Sequence, residues 1–221
     1  MDGYLCRFTR SNIGLKVLMA VTGIVLAGFV AAHVSGNLLV FAGEAKMNAY
    51  AHMLKANAAV LWGARIVLLS SVVLHIVSAI KLYKRRSDAR PVAYGLKEPH
   101  GSTYAARTMI WSGPILALFI VYHLLHFTVG VAHPKFDEHN AYRNVVIGFS
   151  SLPVVAAYVI AMGCLCLHLS HGVWSLMQTI GVNRPNWECA LRRLAIVYGI
   201  AVCGGFVSIP LAVLLHIVKI D

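Results

Sequence analysis

Charged residues are scarce in this chain. Only 12% of its 221 residues are Asp, Glu, Lys or Arg, while 59% are hydrophobic. A typical soluble domain is about 25% charged and roughly 45–50% apolar. This composition excludes an ordinary soluble domain and predicts an integral membrane protein. The net charge of +11 could suggest a nucleic-acid partner, but in a membrane protein it indicates basic loops on the cytoplasmic side, and no nucleic-acid partner is expected.

Metal-binding cysteine motifs are also missing. None of the five cysteines forms a C-x-x-C pair, which gives zinc and iron–sulfur frameworks little support. The chain has no C-x-x-C-H motif either, and this excludes the usual covalent attachment of haem. The N-terminus lacks the short apolar core and cleavage site of a signal peptide, so the first hydrophobic segment is expected to be retained.

Long apolar segments dominate what is present. A membrane-spanning helix needs about 20 mainly apolar residues, and five segments meet this requirement. We therefore predict an all-α bundle of five transmembrane helices in a single domain covering residues 1–221. The predicted helices are residues 15–42, 58–83, 107–133, 150–180 and 192–218.

The basic residues predict the orientation of these helices. With a cytoplasmic N-terminus, 13 of the 19 Lys and Arg residues lie in or beside the inner segments and 6 in or beside the outer ones. Cytoplasmic loops carry an excess of Lys and Arg, so the N-terminus is expected inside and the C-terminus outside.

Six of the 11 histidines lie deep within the predicted helices. They are His33, His75, His123, His126, His168 and His171. Because a polar group in the bilayer is costly unless it has a partner, such residues are functional candidates. For any single histidine, a hydrogen bond between helices is an equally good explanation.

The deep histidines fall at two depths. At a rise of about 1.5 Å per residue, His33 is about 25 Å from the inner side and His123 about 24 Å. By the same measure His75 is about 14 Å from that side and His171 about 10 Å. We call the set His33, His123 and His126 the outer level, and the set His75, His168 and His171 the inner level. Depth does not choose between the two members of each doublet.

Two imidazoles that face each other across a helical bundle can fill both axial positions of a haem iron. Zinc is a weaker alternative, because structural zinc sites need four converging ligands. A proton relay usually includes Asp or Glu, and none lies within the predicted helices. The histidine pattern therefore predicts two bis-histidine haems; a haem-free transporter or channel with histidine-lined polar contacts stays open.

Several segments resemble the five-helix, dihaem cytochrome b membrane subunit of succinate:quinone oxidoreductases (succinate dehydrogenases and fumarate reductases). The likeness covers nearly the whole chain. It is carried by HVSGNLLVF from residue 33, ARIVLLSSVVLHIVSAIKLYKRRSDARPVAY from residue 64, YHLLHFTVG from residue 122 and HLSHGVWSLMQTIG from residue 168.

The resemblance implies which histidines bind iron. His33 and His123 correspond to the ligands of the distal haem, and His75 and His171 to those of the proximal haem. Further residues are candidates for contacts with haem propionates or with quinone, namely Arg65, His126, His168, Ser102 and Arg107.

The resemblance also implies the partners and the location. A flavoprotein subunit with FAD would convert succinate to fumarate, and an iron–sulfur subunit would relay electrons to this chain. The chain would anchor both subunits in the inner (cytoplasmic) membrane of a bacterium, among its lipids, and pass electrons through two haem b groups to menaquinone or ubiquinone. A further small membrane subunit is compatible with this assembly.

One position departs from part of the family. Some menaquinol-using fumarate reductases have a glutamate two residues before the fourth ligand, where this chain has Leu169. The difference favours succinate oxidation. The alternatives are a quinol-oxidising fumarate reductase anchor and the cytochrome b subunit of another respiratory complex, such as a nitrate reductase, formate dehydrogenase or hydrogenase.

Overall fold

The computed structural model describes residues 7–8, 11–89, 103–182 and 184–220, and in these ranges the ordered elements are helices. Five of them are long and apolar enough to cross a membrane, which confirms the predicted all-α membrane bundle. These five are α1 (Asn12–Asn37), α3 (Ala58–Asp88), α4 (Tyr104–Leu124), α6 (Leu152–Thr179) and α7 (Glu188–Leu214). Two shorter helices, α2 (Glu44–Lys55) and α5 (Ala141–Gly148), lie between them.

Polar residues mark where several helices begin. The side chains of Ser11, Asn57 and Thr103 each accept a hydrogen bond from a backbone N–H three residues later, at 2.9–3.1 Å. The first N–H groups of a helix have no partner inside it, and a side-chain oxygen at the N-cap satisfies one of them. These caps set the starts of α1, α3 and α4 beside their apolar runs.

The first span continues past α1 as a 3₁₀ turn, Leu38–Ala42, to its predicted end, but two other spans end four residues earlier than the apolar pattern predicted. The third span was expected to reach residue 133, but α4 passes into one π-helical turn, Leu125–Val129, and stops at Gly130, whose φ is 86°. The fifth was expected to reach residue 218, but α7 ends at Leu214 and His216 has a φ of 56°. A positive φ breaks a right-handed helix, and hydropathy alone does not detect such a break.

Two pairs of long helices are packed less closely than the others. Helix α6 is central and packs closely on α4 and α7, while α1 packs closely on α3 and also touches α6 and α7. By contrast, α1 and α4 make few close backbone contacts, and so do α3 and α6. These two loosely packed pairs are the ones that carry the facing histidines.

The short helices close one end of the bundle, which we call the capped end. Asn48 of α2 donates to Asn140 at 3.0 Å and accepts from the backbone N–H of Tyr142 at 3.1 Å. The Tyr142 hydroxyl donates to the Lys219 carbonyl at 2.9 Å. Beneath them Val40, Met47 and the apolar residues of α5 and α7 form a buried cluster. The loops at this end are therefore ordered, and the outer histidines lie beneath them.

The outside of the bundle is apolar. Large side chains such as Ile66, Leu118 and Ile160 are 60%, 73% and 65% exposed. In a soluble protein this surface would favour aggregation, whereas in a bilayer it faces lipid tails while each helix satisfies its own backbone hydrogen bonds. The fold is that of a multi-pass membrane protein.

Candidate functional site

The outer level joins α1 to α4 through two imidazole rings. The ring centres of His33 and His123 lie 5.8 Å apart, with their planes at 82°. Phe29 stacks on His33 at 5.2 Å and Phe119 on His123 at 5.9 Å, while Phe206 of α7 lies 5.7 Å from His33. The two predicted distal ligands therefore face each other within an aromatic surround.

The inner level joins α3 to α6. The ring centre of His75 lies 6.3 Å from that of His168, with the planes at 54°. His171 follows one turn later on α6, and its Nδ1 is buried and has no hydrogen-bond partner among the described residues. The ring beside His75 in this structure is thus that of His168, while the resemblance selects His171. That selection stays a prediction.

A tyrosine connects the two histidines of the outer doublet. The Tyr158 hydroxyl, on α6, lies 3.3 Å from Nδ1 of His123 and 3.0 Å from Nδ1 of His126. His126 is 0% exposed and sits in the π-helical turn after α4. A π-helical turn is rare in proteins, and where one occurs it often lies at a functional site. This one carries the second histidine of the doublet.

A threonine performs a similar role at the inner level. Thr22 of α1 is 4% exposed, and its Oγ1 lies 3.1 Å from Nδ1 of His75 on α3. The same hydroxyl is 2.8 Å from the Leu18 carbonyl. Gly23 follows it, and a Cβ there would be 3.7 Å from Cε1 of His75. The first helix therefore holds the ring of His75 through contacts at its Nδ1 edge.

The spacing of the rings fits bis-imidazole ligation. A ring nitrogen lies about 2 Å from a bound metal, so two imidazoles on opposite sides of one metal place their ring centres about 6 Å apart. The observed values are 5.8 Å at the outer level and 6.3 Å at the inner level. In the part of the chain that the structure describes, no three His, Cys, Asp or Glu side chains converge on a metal position. A haem needs only two protein ligands, because its macrocycle supplies the other four nitrogens.

Unpartnered polar atoms mark the same places. His126 Nε2, His168 Nδ1 and His171 Nδ1 are buried without a hydrogen-bond partner among the described residues. An orphaned buried polar group costs about 1–3 kcal/mol, so natural structures retain it where a ligand, cofactor or water completes it. Three such atoms among the six deep histidines fit a site that binds a further group.

The other candidate residues lie away from the ring pairs. Arg65 is exposed near the start of α3, with its guanidinium 5.0 Å from the ring centre of Trp62. Arg107 is exposed in the first turn of α4. Ser102 lies outside the described residues. Arg65 is near the capped end and Arg107 near the opposite end, so contacts of either with a haem propionate or quinone stay predictions.

Sequence reasoning missed the hydroxyls that contact the histidines. Thr22 and Tyr158 are single polar residues inside apolar runs, and that isolation was the available signal. Ser78 and Ser112 carry the same signal: they are 1% and 2% exposed, and their hydroxyls have no partner among the described residues. Ser78 lies three residues after His75.

A comparison with protein families identifies a relationship for this chain. The model of the succinate dehydrogenase/fumarate reductase transmembrane subunit family matches residues 87–207, more than half of the chain. The matched stretch holds both histidine doublets, while His33 and His75 precede it. Comparisons with curated proteins and with solved structures give no match.

Proposed function

Because this chain belongs to the succinate dehydrogenase/fumarate reductase transmembrane subunit family, we propose that it is the cytochrome b subunit of such a complex. It anchors a flavoprotein and an iron–sulfur subunit and passes electrons between the iron–sulfur subunit and membrane quinone. The observation that carries the proposal is the facing pair His33 and His123, with ring centres 5.8 Å apart. At the second depth His75 faces the doublet of α6, with its ring centre 6.3 Å from that of His168.

The outer ligands follow from the ring pair and the resemblance together, and the inner ligands from the resemblance. His33 and His123 hold the outer (distal) haem. His75 holds the inner (proximal) haem with His171, and His168 lies beside them on α6. A haem b with two imidazole ligands supplies one-electron transfer and has no open iron position for oxygen chemistry.

The rest of the chain shields this path. Aromatic rings of Phe29, Phe119 and Phe206 surround the outer pair, and apolar surroundings exclude water from a redox centre. Buried hydroxyls contact the Nδ1 edges of His75 and His123. A partner at the second ring nitrogen orients a ligating histidine and strengthens its donor nitrogen.

Succinate oxidation is the favoured direction. Leu169 is 8% exposed and packs in an apolar cluster with Val34 and Val202. A carboxylate there would be desolvated among methyl groups, which is costly. The position that carries a glutamate in some menaquinol-using relatives is thus part of the apolar core here. This supports the succinate dehydrogenase assignment over a fumarate reductase anchor.

Succinate-driven reduction of haem tests the proposal. The membrane complex is purified through this chain, and succinate is added while the Soret and α bands are recorded. We expect a flavoprotein and an iron–sulfur protein to co-purify, and succinate to reduce b-type haem that added quinone then reoxidises. Co-purification of a nitrate reductase, formate dehydrogenase or hydrogenase subunit would contradict the assignment, and a complex without haem bands would favour a transporter.

A further inference from the structure

Two buried hydroxyls, one at each level, lie at the Nδ1 atom of a predicted haem ligand. Thr22 Oγ1 is 3.1 Å from His75 Nδ1, and the Tyr158 hydroxyl is 3.3 Å from His123 Nδ1. In both cases the hydroxyl and the histidine lie on different helices. In the sequence, 53 residues separate Thr22 from His75 and 35 separate His123 from Tyr158. Only the folded bundle forms these contacts.

The hydrogen bonds of Thr22 favour one tautomer of His75. A threonine hydroxyl has one proton, and here it points to the Leu18 carbonyl at 2.8 Å or the Met19 carbonyl at 3.1 Å. With its proton donated to a backbone carbonyl, Oγ1 can only accept from His75. In the tautomer that suits this contact, the Nδ1 atom of His75 carries hydrogen and its Nε2 presents a lone pair.

The Tyr158 hydroxyl links the tautomers of His123 and His126. Its hydroxyl also has one proton and lies between two Nδ1 atoms, at 3.0 Å from His126 and 3.3 Å from His123. When the hydroxyl donates over the shorter distance to His126, it accepts from Nδ1–H of His123. The Nε2 of His123 then presents a lone pair, and the hydrogen of His126 resides on its buried Nε2, the atom without a partner among the described residues.

We infer that Thr22 and Tyr158 are positioning residues, each of which holds one histidine of its own level in the tautomer that presents Nε2 to a haem iron. The inference rests on the proposed function, because it takes His75 and His123 as ligands. An acceptor at Nδ1–H makes the opposite ring nitrogen a stronger donor. Each hydroxyl therefore stabilises the oxidised iron of its own level and holds the potential of that haem down.

The test uses substitutions that remove only the hydroxyl contact, in the purified membrane complex. Thr22→Val keeps the shape of threonine, and Tyr158→Phe keeps the ring. The readouts are haem content, the low-spin EPR signal, the midpoint potential of each haem in a redox titration, and the rate of haem transfer to excess apomyoglobin. A redox titration of His75→Ala shows which of the two midpoint potentials belongs to the inner haem, because that potential is the one lost.

Each substitution is expected to affect one haem. Thr22→Val raises the potential of the inner haem and alters its EPR signal, while the outer haem is unchanged. Tyr158→Phe raises the potential of the outer haem and alters its EPR signal, while the inner haem is unchanged. Since loss of such a partner weakens metal binding roughly 10–100-fold, haem transfer from the affected level should be about tenfold faster or more. Thr22→Ser, which restores the hydroxyl, should return the inner haem to its original behaviour.

Two matched controls separate positioning from general stability. Thr108 donates to the Ala105 carbonyl at 2.9 Å, and the Tyr198 hydroxyl donates to the Ala27 carbonyl at 2.6 Å. Thr108→Val and Tyr198→Phe remove the same groups where the hydroxyl donates to a backbone carbonyl, and we expect both haem potentials to stay unchanged.

The outcomes distinguish this inference from the proposed function. If the unsubstituted complex contains no haem, the proposed function fails and the inference fails with it. If it contains two haems and neither Thr22→Val nor Tyr158→Phe moves a potential or a transfer rate, the inference alone is overturned. It is also overturned if each substitution affects both haems equally, because that result would indicate a general loss of packing.

Discussion

Substituting the two α6 histidines separately will decide which one completes the inner pair. The resemblance implies His171, whereas the ring of His168 lies 6.3 Å from His75. We predict that His171→Ala removes the inner haem and that His168→Ala retains it. His75→Ala should match His171→Ala, because both remove one member of the same pair.

The size of the effect follows from the arrangement of the rings. The outer pair, His33 and His123, shares no residue with the inner level. Since one bis-histidine haem requires both of its axial ligands, loss of His171 should lower the content from about two haems per chain to about one. The Soret absorbance per chain should fall by about half, and the potential of the remaining haem should match that of the outer one.

The assay is haem quantification with a redox titration on each purified variant. Gln replacements at both positions serve as a second series, because they keep a polar side chain of similar length if the Ala variants fail to assemble. Retention of two haems in His171→Ala together with loss of one in His168→Ala would refute the assignment from resemblance. Equal loss of both haems on substitution of His75 or His171 would refute the two-level pairing.

The remaining predictions concern the packing around the site. A Cβ at Gly148 would lie 3.0–3.1 Å from the rings of Phe127, His126 and His133, so Gly148→Ala should destabilise the chain by about 1–3 kcal/mol. Gly163→Ala, where a Cβ meets nothing within 4 Å, is the control in thermal unfolding in detergent. An equal melting temperature for both variants would contradict the close packing at Gly148. At the capped end, Tyr142→Phe removes the hydrogen bond to the Lys219 carbonyl and should cost about 1 kcal/mol, measured in the same assay; an unchanged stability would show that this bond contributes nothing.

The apolar segments predicted the five spans because hydropathy determines which helices can enter a bilayer. Hydropathy did not predict that the third span ends at Val129 and the fifth at Leu214, just before the positive φ angles of Gly130 and His216. It also missed α2 and α5. These helices are short, and the hydrogen bond between Asn48 and Asn140 that joins α2 to the start of α5 connects residues 92 positions apart.

The candidate site shows the same division between local pattern and tertiary packing. Deep histidines are conspicuous in an apolar sequence. Their depth predicted that His33 lies at the level of the His123 and His126 doublet, and the ring centres of His33 and His123 are 5.8 Å apart. The partners of the rings were not predictable in this way. A lone Thr or Tyr in a span usually bonds within its own helix or to a neighbour, and only the packed bundle brings Thr22 to His75 and Tyr158 to His123.

The central claim is that histidines at two depths, His33 with His123 and His75 with His171, each bind one haem. The most direct test is a reduced-minus-oxidised spectrum of the purified complex, combined with haem quantification per copy of this chain. The account predicts a b-type spectrum and about two haems per chain, one at each level. A pure and intact complex with no Soret band would contradict it.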